Sequence, residues 1–251
     1  MRRFAAFLMA LMGFLPLPAG AQAIVYQIVT EEIVEVPVTG SERFVEAHPQ
    51  VVAAEPTIPA GIAAYGPFRV IDATHAALVD VTDERSPGQF TAMMHAYPGI
   101  KVLEMVECPG TEDDRANLRL GMMIHARGLA THVPQGGSVR SGAVELFLAG
   151  AQRMADPGAE FAVHSWADEF GLEPKDYGAN APENRLYIDY YRQMGMSEDQ
   201  ARAFYAMTNS VPNADAKWLT AEEMGRWVPL ESAANRKPNI AMRLDSGPAL
   251  H

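Results

Sequence analysis

Cysteine is almost missing from this 251-residue chain: Cys108 stands alone, so no internal disulfide can form and the fold must rest on its apolar core. Basic charge is scarce as well. Lysine and arginine number 20 against 31 aspartates and glutamates, giving a formal net charge of −11. A chain this acidic has no general affinity for nucleic acid or for anionic lipid. Past the first residues no stretch is apolar enough to cross a bilayer. Internal repeats and low-complexity tracts are missing too. His125 and His132, with six residues between them that span a helix end and a strand, match no common ligand spacing, so neither a metal nor another cofactor is expected.

What is present begins with MRRFAAFLMALMGFLPLPAGAQA. Arg2 and Arg3 form a basic start, Phe4 to Leu17 an apolar run too short to span a bilayer comfortably, and Ala21-Gln22-Ala23 a small-x-small cleavage pattern. Residues 1–23 are therefore expected to be a secretory signal peptide cut after Ala23, delivering a soluble, even more acidic chain to the periplasm or the exterior. Cys108 lies far from that cut, so a lipoprotein anchor there is not expected.

Residues 24–63 are expected to form an N-terminal arm. IVYQIVTEEIVEVPV can pair as a strand or hairpin, and Pro49, Pro56 and Pro59 mark an extended linker. Residues 64–230 have the texture of a folded domain. FRVIDATHAALVDV suits one or two strands, SPGQFTAMMHAYPG a helix closed by Pro98-Gly99, and IKVLEMVE a buried strand. TEDDRANLRLGMMIHARG predicts a helix with Thr111 as N-cap, Glu112, Asp113 and Asp114 complementing its dipole, and Gly128 ending it. LATHVP, AVELFLAG and AEFAVHSW then read as strand, helix and strand. ENRLYIDYYRQMG predicts a helix with Pro182 near its first turn, its tyrosines facing the sheet. Ser197-x-x-Gln200 and Thr220-x-x-Glu223 are capping boxes, and residues 231–251 form a polar tail. The strand-helix alternation predicts an α/β fold with a largely parallel sheet, whose sites lie in loops at strand carboxyl ends.

Two loops qualify by composition, CPGT at 108–111 and GGSVRSG at 136–142. Serine attacks a carbonyl only when a base takes its proton and donors stabilise the oxyanion. Ser141 precedes Gly142, whose N–H can be one such donor, and the CPGT loop can offer a second. Ser138 is the rival serine, and Ser141 itself can be a mere turn or cap residue. The base must be one of His48, His75, His95, His125, His132, His164 or His251, of which His164 is best placed, at the end of the apolar strand FAVH. Cys108, without a basic neighbour in sequence, reads as a small apolar residue, not a nucleophile.

NLRLGMMIHARGLATHVPQGGSVRSGAVELFLAGAQR, then FAVHSW and DAKWLTAEE, resemble the Clp protease-like branch of the Clp/crotonase superfamily, in particular its secreted bacterial members. The resemblance spans roughly residues 66–230. It implies repeated β-β-α units with a largely parallel sheet, Ser141 as nucleophile, His164 as general base, and the N–H groups of Gly142 and Thr111 as oxyanion hole. Thr111 stands where the family's SPGG loop has its later glycine. The family's aspartate falls at Ala216 in strict register, so Asp215 is the first choice for the triad acid and Asp189 the second. Arg140 adds positive charge beside the serine, either for an anionic group or for pairing with an acidic side chain. The implied activity is a secreted serine hydrolase, a peptidase acting on peptide or protein through an acyl-enzyme, with self-association plausible by analogy. The alternative is an inactive envelope protein that binds a peptide or protein partner. Crotonase-type acyl-CoA chemistry is disfavoured by the expected extracytoplasmic address.

Overall fold

A computed structural model describes the backbone of residues 43–44 and all of residues 57–231. The expected signal peptide over 1–23, the strand or hairpin expected over 24–38, most of the expected arm, and the tail after Glu231 lie outside the described residues. Those that are described belong to one compact unit, Pro37–His251.

The strands are β1 (Arg43–Phe44), β2 (Ala63–Tyr65), β3 (Phe68–Val70), β4 (His75–Leu78), β5 (Val102–Met105), β6 (Glu107–Cys108), β7 (Gly110–Thr111), β8 (Ala130–Val133), β9 (Ser138–Arg140), β10 (Gln152–Ala155), β11 (Glu160–Val163) and β12 (Lys217–Thr220). The helices are α1 (Ser86–Ala96), α2 (Asp114–Ala126), α3 (Ala143–Leu148), α4 (Pro182–Gln193), α5 (Glu198–Thr208) and α6 (Ala221–Gly225). A strand-strand-helix unit recurs: β5, β6 and α2; β8, β9 and α3; β10, β11 and α4, with β7 added in the first. The first strand of each unit joins a six-stranded sheet ordered β10-β8-β5-β4-β3-β2. The second joins a four-stranded sheet ordered β12-β11-β9-β6. Pairing is parallel through β4-β5-β8-β10 and β6-β9-β11, and antiparallel in β2-β3-β4 and β11-β12. The expected α/β architecture with largely parallel sheets and β-β-α units is thus what the chain adopts.

The physics of each element follows its composition. β8 reads ATHV and is buried throughout, as a strand covered on both faces must be. The tyrosines of LYIDYY are buried with every phenol satisfied, but the phenols reach neighbouring helices and not the sheet that was expected. Tyr187 donates to Asp114 (2.6 Å), Tyr190 to the Glu145 carbonyl (2.6 Å) and Tyr191 to the Glu145 carboxylate (2.7 Å), which ties α4 to α2 and α3. Both expected capping boxes form, at Ser197/Gln200 and Thr220/Glu223. Thr111, however, is not the N-cap of α2. Asp113 takes that place, its carboxylate accepting from Ala116 N–H at 2.9 Å, because Thr111 is already extended in β7. The GGSVRSG turn also contains more order than its glycines suggest, since Ser138–Arg140 are strand β9.

His132 on β8 is buried between two carboxylates, with Nδ1 at 2.5 Å from Glu104 and Nε2 at 3.1 Å from Asp156. Burial alone would lower its pKa. The hydrogen bonds and charges of Glu104 and Asp156 outweigh burial and raise the pKa above the ordinary 6.5. A group whose folded pKa is raised contributes stability that is complete below its unfolded pKa and fades as pH climbs through the folded one. Thermal melts should therefore show stability falling as pH rises from about 6.5 through the raised pKa, and His132→Gln should flatten that limb. A wild-type limb that matches the variant's would contradict this account.

Candidate active site

Adjacent parallel strands place the two residues singled out by sequence. β9 and β11 pair with Arg140 opposite Ala162. Ser141 follows the first strand and His164 stands just beyond the end of the second. Ser141 N–H donates to the Ala162 carbonyl at 2.8 Å, and its own carbonyl accepts from Val144 N–H at 3.0 Å. Held at both ends, Ser141 adopts φ 53°, alone among the described non-glycine residues in having a positive φ. Such a backbone costs about 1–3 kcal/mol and persists only where the surroundings impose it. A serine on a sharp strand-to-helix turn is the arrangement that projects a nucleophilic hydroxyl away from its own backbone. Here Ser141 Oγ lies 2.5 Å from His164 Nε2. Both residues are buried, at 0% and 1% exposure.

Gly142 follows Ser141 and is the first cap of α3. A methyl group on Gly142 would sit 2.6 Å from Thr111 Cγ2, so glycine is what permits the close approach of β7. The structure thus brings Gly142 and Thr111, the two expected oxyanion donors, side by side. Asn117 fixes this contact by donating to the Gly142 carbonyl at 2.6 Å and accepting from Thr82 Oγ1 at 3.0 Å. Gly110, with φ 140°, turns the chain into β7 through a conformation that side-chain-bearing residues rarely adopt.

The third member differs from expectation. Asp215 is exposed in a turn with its N–H on the Pro212 carbonyl, and Asp189 sits on the surface of α4 paired with Arg185 at 2.6 Å. The group set against His164 Nδ1 is the Asn213 amide, whose Nδ2 is 3.4 Å away. Asn213 is held by two anchors. Its Nδ2 donates to the Ser165 carbonyl at 2.8 Å, and its backbone N–H donates to Glu173 at 3.0 Å. Ser165 in turn hydrogen-bonds Val211 through both N–H (3.0 Å) and hydroxyl (2.8 Å), closing the loop onto the strand end. The register of a short acidic motif misplaced this residue, because a turn over 212–215 reverses the chain just before β12. An asparagine two residues ahead of the expected aspartate was the available signal.

The remaining candidates resolve by contact. Arg140 is buried in an ion pair with Glu107 and donates to Ser138 Oγ at 2.8 Å, so the rival serine is committed to that pair. Cys108 is wholly buried, and burial pushes its thiol pKa well above the usual value, which makes it a poor nucleophile. His125 Nδ1 meets the Ala149 carbonyl at 3.1 Å, and His75 meets Asp72 at 3.0 Å. His48 and His251 lie outside the described residues. Among the described residues no group of three or more histidines, cysteines and carboxylates could hold a metal ion. A cavity of about 370 Å³ lined by Tyr177, Asn184, Tyr205 and Asn209, among others, does not include Ser141 or His164.

Neither a protein-family model nor a curated protein matches the chain. Solved structures do show likeness. A mutant of the 1510-N membrane-bound stomatin-specific protease is 13% identical, with a TM-score of 0.44 over 63% of this chain and 76% of that one. A mutant of ClpP1 from Listeria monocytogenes is 15% identical, with a TM-score of 0.43 over 62% and 88%. The ClpP protease catalytic domain from Plasmodium falciparum is 12% identical, with a TM-score of 0.41 over 60% and 79%.

The amide at 213 generates a direct prediction. Because the Ser165 carbonyl demands a donor, the Asn213 NH2 faces His164 Nδ1, whereas a base at Nε2 needs Nδ1 to carry its proton toward an acceptor. A carboxylate there would accept that proton and stabilise the imidazolium; in a serine-protease triad the reverse change, aspartate to asparagine, costs roughly 10⁴ in rate. Asn213→Asp should therefore speed phosphonylation of Ser141 by a fluorophosphonate by about tenfold or more. An unchanged or slower rate, in a chain with unaltered circular dichroism, would contradict the assignment.

Proposed function

We propose that the chain is a serine hydrolase of the peptidase type, working through an acyl-enzyme. His164 Nε2 takes the Ser141 proton as Oγ attacks a substrate carbonyl. The N–H groups of Gly142 and Thr111 then receive the developing oxyanion, and His164 returns the proton to the leaving amine. Water repeats the sequence to release the acid. The observation that carries this reading is the 2.5 Å contact between Ser141 Oγ and His164 Nε2, with the serine held at φ 53°. Asn213 acts through His164 as a positioning residue and takes the place expected for Asp215. The expected signal peptide would deliver this activity, as the segment 64–230 with its arm and tail, to the periplasm or the exterior.

One specific observation favours a second reading, a chain that keeps the fold and binds a peptide or protein without cutting it. The group set 3.4 Å from His164 Nδ1 is the amide of Asn213, where the resemblance implies an aspartate. The two readings part on one experiment. In periplasmic extracts of an expressing bacterium, a fluorophosphonate should label a chain beginning at Ile24, with the adduct on Ser141. Ser141→Ala should abolish labelling, and His164→Gln should slow it by roughly 10³-fold or more. Folded wild-type chain that stays unlabelled beside a reactive control hydrolase would favour the binding reading.

A further inference from the structure

The edge of β7 opposite Thr82 is already taken, and by this chain itself. β7 is bridged on one side by Thr82, whose N–H donates to the Gly110 carbonyl (3.1 Å) and whose carbonyl accepts from Glu112 N–H (2.8 Å). In an extended strand the N–H and C=O of successive residues point to opposite edges. Since residues 110 and 112 spend theirs on Thr82, the N–H and C=O of Thr111 point the other way. There they meet β1, which runs antiparallel with Arg43 opposite Thr111 and Phe44 opposite Gly110. The backbone N–H that the acyl-transfer reading assigns to the oxyanion is therefore the one turned toward Arg43. Ser141 and His164 are at the same time closed off from solvent.

We propose that β1 is an intramolecular occupant of the substrate-binding edge, so that the arm competes with an extended peptide for β7 and holds the site latent. An antiparallel two-residue ladder is the geometry by which an extended peptide adds to an exposed sheet edge, through main-chain bonds that do not depend on its sequence. A carbonyl bound at Ser141 needs Thr111 N–H, and β1 needs the same group. Only one can have it. Release of β1 both frees the donor and opens an edge for a peptide in extended conformation. This inference rests on the acyl-transfer reading above and adds to it a regulatory element and a substrate conformation.

Arg43→Pro tests it in the full-length chain: proline lacks the N–H that faces the Thr111 carbonyl and sets its ring there instead, which forces β1 off β7 and takes with it the carbonyl of residue 43 that accepts Thr111 N–H. Phe44→Pro is the control, since the N–H at 44 points away from β7 and edge strands tolerate proline there. Two readouts are taken on each, the amide exchange rate of Thr111 and the rate of fluorophosphonate labelling at Ser141. Removing one oxyanion donor typically costs roughly 10²–10³ in rate, so freeing one should raise labelling by about tenfold or more. Arg43→Pro should show faster exchange and faster labelling, Phe44→Pro neither, and a peptide spanning residues 37–50 should slow Arg43→Pro again. Unchanged exchange in a folded Arg43→Pro chain would show that β1 does not hold Thr111, overturning the inference. Faster exchange with an unchanged, measurable labelling rate would overturn the latency claim while leaving the hydrolase reading intact. Faster exchange with no labelling of any chain would sink the hydrolase reading and reduce β1 to a structural seam.

Discussion

The parallel pairing of β9 with β11 is the contact on which the site depends. With Arg140 opposite Ala162, the residue that follows β9 donates its N–H to the Ala162 carbonyl and leaves the strand at a positive φ. That residue is Ser141, and the chain two residues past Ala162 supplies His164. A slip of one residue would turn every side chain of β9 to the opposite face and separate the pair. Register is held by burial on both strands, with Val139, Phe161 and Ala162 at 0% exposure. It is held again by the buried ion pair of Arg140 with Glu107, which joins β9 to β6 on its other side.

Around that register the neighbouring elements act as a brace. Tyr190 and Tyr191 of α4 both reach Glu145 in the helix that starts right after the serine. Asn117 of α2 grips the Gly142 carbonyl, and Thr111 packs against the glycine itself. The strained turn therefore has partners on each side that over-determine its shape, the condition under which an unfavourable φ survives. What this rigidity does not provide is access, because serine and histidine are both enclosed and the donor of Thr111 faces β1.

Much of this was legible in the sequence, for reasons that are local. The strand-helix alternation, the capping boxes at Ser197 and Thr220, and the inward face of LYIDYY depend on periodicity and on residues three or four apart. Ser141, with Gly142 next to it, and His164 were named from short segments whose order along the chain is also the order of β9 and β11 across their sheet, whereas Thr111, named by resemblance, lies in β7 outside that sheet. What failed depended on geometry between distant segments. Thr111 looked like a helix cap because hydroxyls favour that place, but its pairing with β1 and Thr82 drew it into a strand. Asp215 looked like the partner of His164 because it stands one residue from Ala216, where the resemblance puts an aspartate. The turn over 212–215 instead presents Asn213, whose amide answers the Ser165 carbonyl. Neither the pairing partner of a two-residue strand nor the direction of a turn residue leaves a periodic trace.

The account's central claim is that Ser141, His164, Gly142 and Thr111 form one acyl-transfer site that β1 covers. A crystal structure of the chain carrying a phosphonate on Ser141 Oγ measures this most directly. The account predicts the phosphoryl oxygen within about 3 Å of both the Gly142 and Thr111 nitrogens, with Arg43 no longer paired to Thr111. An adduct whose oxygen points away from both nitrogens, with β1 still laddered on β7, would contradict it.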